Sequence, residues 1–382
     1  MDYRRYARGE IDLGAIAHNV RGLKGLTRPG TLFMAVVKAD AYGHGVVPVA
    51  RTVLASGADR LAVATVEEAV ELREAGIDSL LHILSEPPPS AADLLVDHDV
   101  VTTVTSRPFA VALGRAAASA GTEARFHLKV DTGMNRIGVR AEEAAEFAAG
   151  LKEFPGLRHE GTFTHFATAD VPGDWDFERQ LERFAIALEQ MGTEGVDPGI
   201  VHSANSAATI LHPETHMDMV RCGIALYGLH PSQPTYGRID LRPAMSVRAQ
   251  VSFVKHVGMG EGVSYGMTYR AAAPVAIATI PLGYADGLHR AASNKLEVLI
   301  KGVRCPQIGR ITMDQVMIET PRDLNVTPGE DVVIVGEQGG VTLTMDDYAE
   351  QAGTINYETA CAFGMRMGRA YRRSHYSEDT SA

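Results

Sequence analysis

Four charged or titratable side chains lie at or just beyond the carboxyl ends of apolar runs in this sequence. They are Lys38 after TLFMAVV, Lys129 in RFHLKV, His165 in HEGTFTHF and Arg221 in DMVRCG. Barrel enzymes built from alternating strands and helices place their working residues at such strand ends and in the loops that follow. A lysine in that position is either an exposed strand end or a buried amine with a lowered pKa. Position alone favours the exposed strand end for Lys38 and leaves the second interpretation open.

The segment RFHLKVD carries a polar face of its own. Side chains alternate along a strand, so His127, Lys129 and Asp131 share one face and the apolar residues between them share the other. That polar face must point toward water or toward a functional site. Arg136 follows in the next turn, and its guanidinium matches the geometry of a carboxylate ligand.

The runs that carry these residues alternate with amphipathic segments such as VEEAVELREAG and DWDFERQLERFAIALEQMG. Eight strand candidates separated by helices within about 200 residues predict an (α/β)8, TIM-type barrel. An open doubly wound sheet is the competing architecture, but it would place a GxGxxG motif after the first strand, where this chain has KADAYGHG. The candidate strands are 31–38, 61–65, 80–84, 100–104, 125–130, 159–166, 200–204 and 218–223.

Strands separated by turn residues dominate the sequence after about residue 240, as in VRAQVSFVKHV, PVAIATI, KLEVLIKG and DVVIVG. This pattern predicts a second, mostly β domain. Pro231, Pro234 and Pro243 mark the junction. We therefore expect an α/β barrel domain over residues 1–240 and a mostly β domain over 241–382, with the first dozen residues able to pair with the second domain.

The composition excludes several classes of protein. Lys and Arg number 36 against 47 Asp and Glu, and the net charge of −11 argues against nucleic acid or an anionic membrane as a partner. No apolar run reaches the roughly 18 residues of a membrane span. The three cysteines are widely spaced, so we expect neither a disulfide framework nor a metal site. The charged N-terminus lacks the apolar segment of a signal peptide, and we expect a cytoplasmic protein.

The segment AVVKADAYGHG (35–45) changes the interpretation of Lys38. It closely resembles the cofactor-lysine motif of bacterial alanine racemases, which use pyridoxal 5'-phosphate (PLP) and combine a fold-type III barrel with a β domain. This resemblance implies an isomerase that interconverts L-alanine and D-alanine, supplies D-alanine for peptidoglycan, and works as a homodimer with shared active sites. It continues over roughly residues 8 to 372, through KVDTGMNRIG (129–138), ANSAA (204–208), VRCGIALYG (220–228), VSYGMTY (263–269), PLGYADG (281–287), GRITMDQ (309–315) and INYE (355–358).

By that resemblance, Lys38 carries the cofactor and acts as one catalytic base, while Tyr265 acts as the other on the opposite face of the substrate carbon. A tyrosine with a pKa of about 10 is a poor base unless positive charge or hydrogen bonds stabilise its phenolate. The resemblance gives that role to His165 and Arg221. Arg221 is also expected to contact the pyridine nitrogen and, because arginine keeps its own proton, to leave that nitrogen unprotonated.

The resemblance implies the remaining site residues as well. Arg136 binds the substrate carboxylate with help from the backbone N–H of Met313, and Lys129, when carbamylated, orients Arg136. Tyr284 and Tyr357 narrow the entrance and favour a small substrate side chain. Without the resemblance these positions are ordinary packing residues, surface pairs and helix caps. The expected cofactor-binding residues, besides Lys38 and Arg221, are Tyr42, Ser206, Gly223, Ile224 and Tyr357.

Three positions depart from the family pattern. Asn135 replaces a glycine in the turn before Arg136, and we expect the turn to survive because asparagine tolerates left-handed backbone. Thr312 stands where a cysteine is common, which alters the wall of the site. Gly368 replaces a proline and weakens the prediction of a C-terminal strand.

Three rival functions remain. A racemase of broader specificity would differ in the size of its entrance. PLP-dependent decarboxylases lack the pairing of Lys38 with Tyr265 and bring a reactive cysteine where this chain has Thr312. A non-catalytic barrel protein that carries the cofactor would lack a second domain, which residues 241–382 provide.

Overall fold

The computed structural model describes residues 6–171, 173–364 and 366–374, which fold into two compact units. The barrel unit contains Ile16–Ala41 and Val46–Arg242. The strand unit combines the chain up to Ala15 and the segment Tyr42–Gly45 with the chain from Pro243 onward. The division therefore lies close to the expected boundary after residue 240, but it assigns two short N-terminal segments to the strand unit.

The barrel unit contains eight parallel strands that are apolar because both of their faces are buried. The eighth strand pairs with the first, and a bridge between His82 and Val101 joins the third to the fourth. A hydrogen bond from the Asp218 N–H to the Val201 carbonyl (3.0 Å) connects the last two strands. The predicted (α/β)8 barrel is confirmed. Its strands are Leu32–Val36, Arg60–Val63, Leu81–Ile83, Thr102–Val104, Ala124–Asp131, Leu157–Phe163, Ile200–His202 and Met219–Cys222.

Helices alternate with these strands, and several begin at side-chain caps. Thr65 and Glu68 form a capping box at the start of Val66–Glu74, in which each side chain accepts the backbone N–H of the other. The Ser106 hydroxyl caps the helix Arg107–Ala120 by accepting the backbone N–H of Phe109. The helices in this part of the chain are Leu13–Gly25, Val46–Ala55, Val66–Glu74, Ala92–Asp97, Arg107–Ala120, Ala144–Leu151, Trp175–Thr193 and Ser206–Leu211.

The first barrel strand ends at Val36, two residues earlier than predicted, and leads into a left-handed helical turn at Lys38–Tyr42. The four residues after Lys38 have φ values between 51° and 53°. Left-handed backbone costs L-residues about 1–2 kcal/mol each, so other contacts must hold the turn. The Asp40 carboxylate accepts the Val46 N–H (2.7 Å), and the Glu68 carboxylate accepts the N–H of the residue after Lys38 (2.6 Å).

The strand unit is organised around one ten-stranded sheet, and the predicted mostly β domain is confirmed. The N-terminal strand Ala7–Asp12 lies between Met245–Gln250, which is antiparallel to it, and Gly368–Arg372, which is parallel. A C-terminal strand therefore forms despite the glycine at 368. Two helices, Met345–Ala352 and Asn356–Ala362, precede that strand. The remaining sheet strands are Phe253–Val257, Val275–Ile280, Glu297–Ile300, Val303–Ile308, Val316–Thr320, Asp331–Gln338 and Val341–Leu343.

Each unit has an apolar core. Phe33, Leu61 and Leu128 are completely buried in the barrel unit, and Val298 and Val332 are completely buried in the strand unit. Across the described parts of the chain, none of the helices combines the length and the apolar character that crossing a bilayer requires.

Candidate active site

Arg221, on the last barrel strand, is a buried cation held by several hydrogen bonds. It is 3% exposed, and its Nη2 donates to the carbonyls of Thr164 (2.7 Å) and Ser203 (2.9 Å). Its guanidinium also contacts Nδ1 of His202 (3.0 Å) and Nδ1 of His165 (3.3 Å). Because arginine only donates hydrogen bonds, both imidazole nitrogens must accept.

The charge state of these groups follows from burial. Burial lowers the pKa of Arg221 to about 9, so the guanidinium remains protonated at neutral pH. Burial, reinforced by the positive charge of Arg221, lowers the pKa of His165 well below its ordinary value. His165 is therefore a neutral acceptor, and Arg221 carries the positive charge of the pair.

Lys129 shares its face of the strand with His127, which is completely buried. Lys129 is 5% exposed, and burial is the main reason why its pKa falls from 10.5 to about 7. The positive charges of Arg136, Arg221 and Lys38 lower this pKa further, while Asp131 raises it. Several cations therefore act on one another at the carboxyl ends of the barrel strands, which favours an anionic ligand there.

The turn that carries Arg136 is held by the carboxylate of Asp131. This carboxylate accepts the backbone N–H groups of Gly133 (3.1 Å) and Asn135 (3.0 Å). Asn135 has a φ of 54°, so the expectation that asparagine would occupy left-handed backbone here is confirmed. Arg136 itself is exposed.

Ser206 and Gly223, two of the residues expected to bind the cofactor, are in contact, and Ile224 follows Gly223 in the chain. Ser206 begins the helix Ser206–Leu211, but Asn205 rather than Ser206 is its N-cap. The buried Ser206 hydroxyl instead accepts the Gly223 N–H at 2.8 Å. A hydroxyl that accepts one hydrogen bond keeps its own proton to donate to a ligand oxygen.

Tyr265 projects from the end of a short hairpin in the strand unit. The strands Gly262–Val263 and Tyr269–Arg270 flank it, and the side chain is 72% exposed. The residue before it, Ser264, has a φ of 63° and ψ of −177°, a conformation rarely adopted by residues other than glycine. The Ser264 hydroxyl donates to the Arg310 carbonyl (2.7 Å), which fixes this strained backbone.

Tyr284 and Met313 are adjacent in the strand unit. The Tyr284 N–H donates to the Thr312 carbonyl at 3.0 Å, and a Cβ on Gly283 would collide with the Met313 carbonyl. Only glycine therefore allows this close approach of the two loops. Tyr284 is 42% exposed and Met313 is 52% exposed.

Two further tyrosines named by the sequence also meet in the strand unit. The rings of Tyr42 and Tyr357 lie 6.4 Å apart between centroids, at an interplanar angle of 52°. Tyr42 is buried, whereas Tyr357 is half-buried. The tyrosine that ends the left-handed turn is thus packed with the C-terminal part of the chain, which its sequence position alone did not indicate.

The structure distributes the expected site residues over both units. The strand unit carries Tyr42, Tyr265, Tyr284, Met313 and Tyr357. The barrel unit carries Lys38, Lys129, Arg136, His165, Ser206, Arg221, Gly223 and Ile224. Two partners of this network had no predicted role, namely His202, which contacts Arg221, and Glu160, which contacts His127. A histidine in the middle of an apolar strand, as in IVHSA, is the signal that could have identified the first.

Two family profiles match the chain, one described as alanine racemase, N-terminal domain, over residues 11–231 and the other as alanine racemase, C-terminal domain, over residues 244–371. An alanine racemase from Desulfovibrio desulfuricans is 45% identical over 95% of this chain and 97% of its own length. One from Symbiobacterium thermophilum is 44% identical over 97% of this chain and 98% of its own.

Solved structures show the same similarity. The alanine racemase from Bacillus anthracis, crystallised with bound L-Ala-P, has a TM-score of 0.92 at 39% identity and covers 98% of this chain and 96% of its own. The alanine racemase from a D-cycloserine-producing Streptomyces lavendulae has a TM-score of 0.92 at 38% identity, covering 98% of this chain and 99% of its own.

Proposed function

Because the chain belongs to the alanine racemase family, whose members are isomerases, we propose that it interconverts L-alanine and D-alanine. The observation that carries this proposal is the burial of two cations, Lys129 and Arg221, at the carboxyl ends of the barrel strands, where Arg136, Arg221 and Lys38 also lower the pKa of Lys129. The carboxylate of Asp131 has the opposite effect and raises the pKa of Lys129. Such an excess of positive charge suits a phosphorylated cofactor together with the carboxylate of an amino acid.

Pyridoxal phosphate is the cofactor that these residues fit. When bound, it would supply the electron sink that makes the Cα proton of alanine acidic. Lys38 would hold it covalently, and Arg221 would donate to its pyridine nitrogen without giving up a proton. The Ser206 hydroxyl has a proton available for a phosphate oxygen, since its lone pair already accepts the Gly223 N–H. We assign the phosphate to Tyr42, Ser206, Gly223, Ile224 and Tyr357.

Two bases on opposite faces of the substrate carbon would accomplish the inversion. Lys38 would remove or return the proton on one face, and Tyr265 would do so on the other. Tyr265 needs a positive environment to act as a base, and Arg221 with its neutral acceptor His165 would provide it. The strained backbone at Ser264 supports this role, because strain of this kind clusters at functional sites.

The substrate carboxylate would bind to Arg136 and to the backbone N–H of Met313. A pKa of about 7 leaves much of the Lys129 amine uncharged at neutral pH, which is the form that reacts with CO2. The resulting carbamate would carry a negative charge that orients Arg136. Tyr284 would limit the space for the substrate side chain and so favour alanine.

A homodimer would complete each site. Tyr265, Tyr284 and Met313 are all exposed on the strand unit, and the loops that carry Tyr284 and Met313 lie next to each other. Exposed apolar and aromatic side chains that form a patch mark interaction sites. We propose that the strand unit of one chain supplies these three residues to the barrel of the partner chain. We also propose that the enzyme acts in the cytoplasm and supplies D-alanine for peptidoglycan, which rescue of a bacterium that requires D-alanine would test.

One experiment tests the cofactor and the reaction together. The purified chain, incubated with pyridoxal phosphate, should become yellow and should abolish the optical rotation of L-alanine. Reduction with borohydride should leave the cofactor attached to Lys38, and Lys38→Ala should remain colourless and inactive. Label on another lysine would contradict the assignment.

The choice of substrate separates the proposed function from its rivals. We expect serine to react more slowly than alanine, because Tyr284 and Tyr357 would narrow the entrance. Lysine or arginine racemised as fast as alanine would indicate a broad-specificity enzyme. Release of CO2 from the amino acid would indicate a decarboxylase instead.

A further inference from the structure

Three histidines lie inside the barrel, on strands whose carboxyl ends carry the proposed site. His82, His127 and His202 are at most 1% exposed, and His127 lies 4.6 Å from His82 and 4.9 Å from His202 between ring centroids. His202 also contacts Arg221, and His127 contacts the carboxylate of Glu160 on the neighbouring strand. A continuous row of polar groups therefore connects Arg221 with Glu160.

The direction of each hydrogen bond in this row follows from its two ends. Arg221 can only donate, so His202 Nδ1, 3.0 Å from Nη1, accepts. His202 Nε2 then carries the ring proton and donates to His127 Nδ1 at 2.7 Å. His127 Nε2 carries its own proton and donates to Glu160 Oε2 at 2.9 Å, which as a carboxylate can only accept. Both imidazoles therefore have the same tautomer.

The charges agree with this assignment. Burial lowers the pKa of both His127 and His202, so each ring is neutral. Burial raises the pKa of Glu160, but hydrogen bonds from His127 and Arg60 outweigh it and hold the pKa at about 2. Arg60 Nη1 lies 2.7 Å from the same carboxylate oxygen. The row thus ends on a permanent negative charge.

We propose that Glu160 is a positioning residue for Arg221 that acts through His127 and His202. Its carboxylate always accepts from His127, which keeps the lone pair of His202 Nδ1 directed at the guanidinium. Arg221 is thereby held by an acceptor that cannot become a donor, which fixes the orientation that its guanidinium would present to the pyridine nitrogen. This inference rests on the proposed function, because that function gives Arg221 its ligand.

Glu160→Gln tests this idea because it keeps the size of the side chain but permits the hydrogen bond between residue 160 and His127 to run in the opposite direction. An amide that turns its NH2 group toward His127 Nε2, and so gives up the contact with Arg60, donates to that nitrogen, which shifts the His127 proton to Nδ1 and the His202 proton to Nδ1 in turn. Two donors then face each other between His202 and Arg221. We expect the substitution to lower kcat and to leave KM largely unchanged, because the carboxylate of alanine is assigned to Arg136 and not to Arg221.

Nitrogen NMR of isotope-labelled histidine reports the tautomers directly in the full chain loaded with pyridoxal phosphate. Assignment uses His127→Gln and His202→Gln. We expect protonated Nε2 and unprotonated Nδ1 on both rings of the wild type, and the reversed tautomer in Glu160→Gln. We expect the kcat of Glu160→Gln to fall about tenfold or more, as for other partners that orient a site residue, with little change in KM.

Glu214→Gln is the matched control. It removes an exposed carboxylate that lies 3.1 Å from His212 Nδ1 in the same unit, and it should leave kcat unchanged. A wild-type His202 protonated on Nδ1 would overturn the inference without relying on any variant to fold. So would a Glu160→Gln enzyme that matches the control, or one that loses kcat while keeping the wild-type tautomers. If the wild type does not racemise alanine, the proposed function fails instead, and the tautomers still test the hydrogen-bond direction.

Discussion

Lys129 differs from a surface lysine in its burial and in its neighbours. Its Nζ lies 5.5 Å from the centre of the Phe163 ring, in a setting where burial and nearby positive charge lower its pKa from 10.5 to about 7. The neutral amine of Lys129 therefore predominates between a pH of about 7 and the ordinary lysine pKa of 10.5, a range in which a surface lysine is protonated. A neutral amine is a nucleophile toward CO2, and the product is an anion where Lys129 alone would be a cation.

We expect the carbamate on Lys129 to increase with pH. Below a pH of about 7 the amine is protonated and cannot react, whereas above it the neutral amine predominates. Carbon NMR with isotope-labelled bicarbonate should show a carbamate signal that grows as the pH rises through this value. Lys129→Ala should abolish it, and Lys152→Ala, which removes an exposed lysine bound to the Gly195 carbonyl, should retain it. A signal that survives Lys129→Ala would contradict the assignment.

Tyr265 and Lys38 are assigned to opposite faces of the substrate carbon, so substitution of each residue should impair a different proton-transfer step. Tyr265→Ala should lose exchange of the Cα proton of L-alanine by about a hundred- to ten-thousand-fold, the usual effect of removing a general base. Exchange from D-alanine should partly persist, because Lys38 remains. The overall racemisation rate cannot reveal this asymmetry, since mirror images have equal free energy and both directions must fall together.

Solvent deuterium incorporation into each isomer, under single-turnover conditions, measures the two steps separately. Tyr269→Ala is a suitable control because Tyr269 belongs to the same hairpin and its phenol donates to Glu319 at 2.6 Å. That change perturbs the hairpin but leaves the assigned base in place. If Tyr265→Ala lost exchange equally from both isomers, Tyr265 would be a positioning residue rather than a base.

At the scale of elements, the left-handed turn after Lys38 stores strain next to the assigned cofactor lysine. Ala41 has a φ of 53° and is completely buried. A glycine there would relieve about 1–2 kcal/mol of left-handed strain. Ala50, also completely buried, lies in the helix Val46–Ala55, where glycine costs about 1 kcal/mol.

We expect Ala41→Gly to be more stable than Ala50→Gly by about 2 kcal/mol. Both changes remove a buried methyl group and give the unfolded chain the same additional conformational freedom. The difference between their free energies of unfolding therefore reports the backbone conformation at the two positions. Urea unfolding of the two variants and the wild type checks this result. Equal destabilisation by both would show that the turn is not strained.

The sequence predicted the barrel strands well because parallel strands that are buried on both faces are continuous apolar segments of sequence. It did not predict the turn after Lys38, since alanine and aspartate have no preference for four successive left-handed residues. That conformation depends on contacts made by Asp40 and Glu68 to backbone N–H groups. Such tertiary contacts override local preference and leave no local signature.

Side-chain alternation likewise predicted that His127 and Lys129 share one face of their strand, but it did not predict which residues contact that face. The contact of His127 with His202 joins strands that are far apart in the sequence. Resemblance to a known family named the expected site residues on both units, whereas position and residue type alone favoured an ordinary strand end for Lys38. The proposed site therefore rests on motifs, whereas the hydrogen-bond network around Arg221 became visible only in the fold.

At the scale of the whole molecule, the assigned bases lie on different units of the chain. Lys38 belongs to the barrel unit, and Tyr265 belongs to the strand unit, where it is 72% exposed. Most soluble oligomers are symmetric dimers, in which a residue given to the partner is matched by the same residue received from it. Two shared sites per dimer would then place every Lys38 opposite a Tyr265 of the other chain.

Mixing two inactive variants tests this arrangement. In a hybrid of a Lys38→Ala chain with a Tyr265→Phe chain, one site loses both bases and the other keeps both. Random exchange makes half of the dimers hybrid, each with one intact site, so we expect roughly a quarter of the wild-type activity to return. Lys38→Ala mixed with a chain that carries both changes has no intact lysine and should stay inactive. Activity that stays absent after subunit exchange has been confirmed would mean that each chain completes its own site, because a hybrid would then contain no site with both bases.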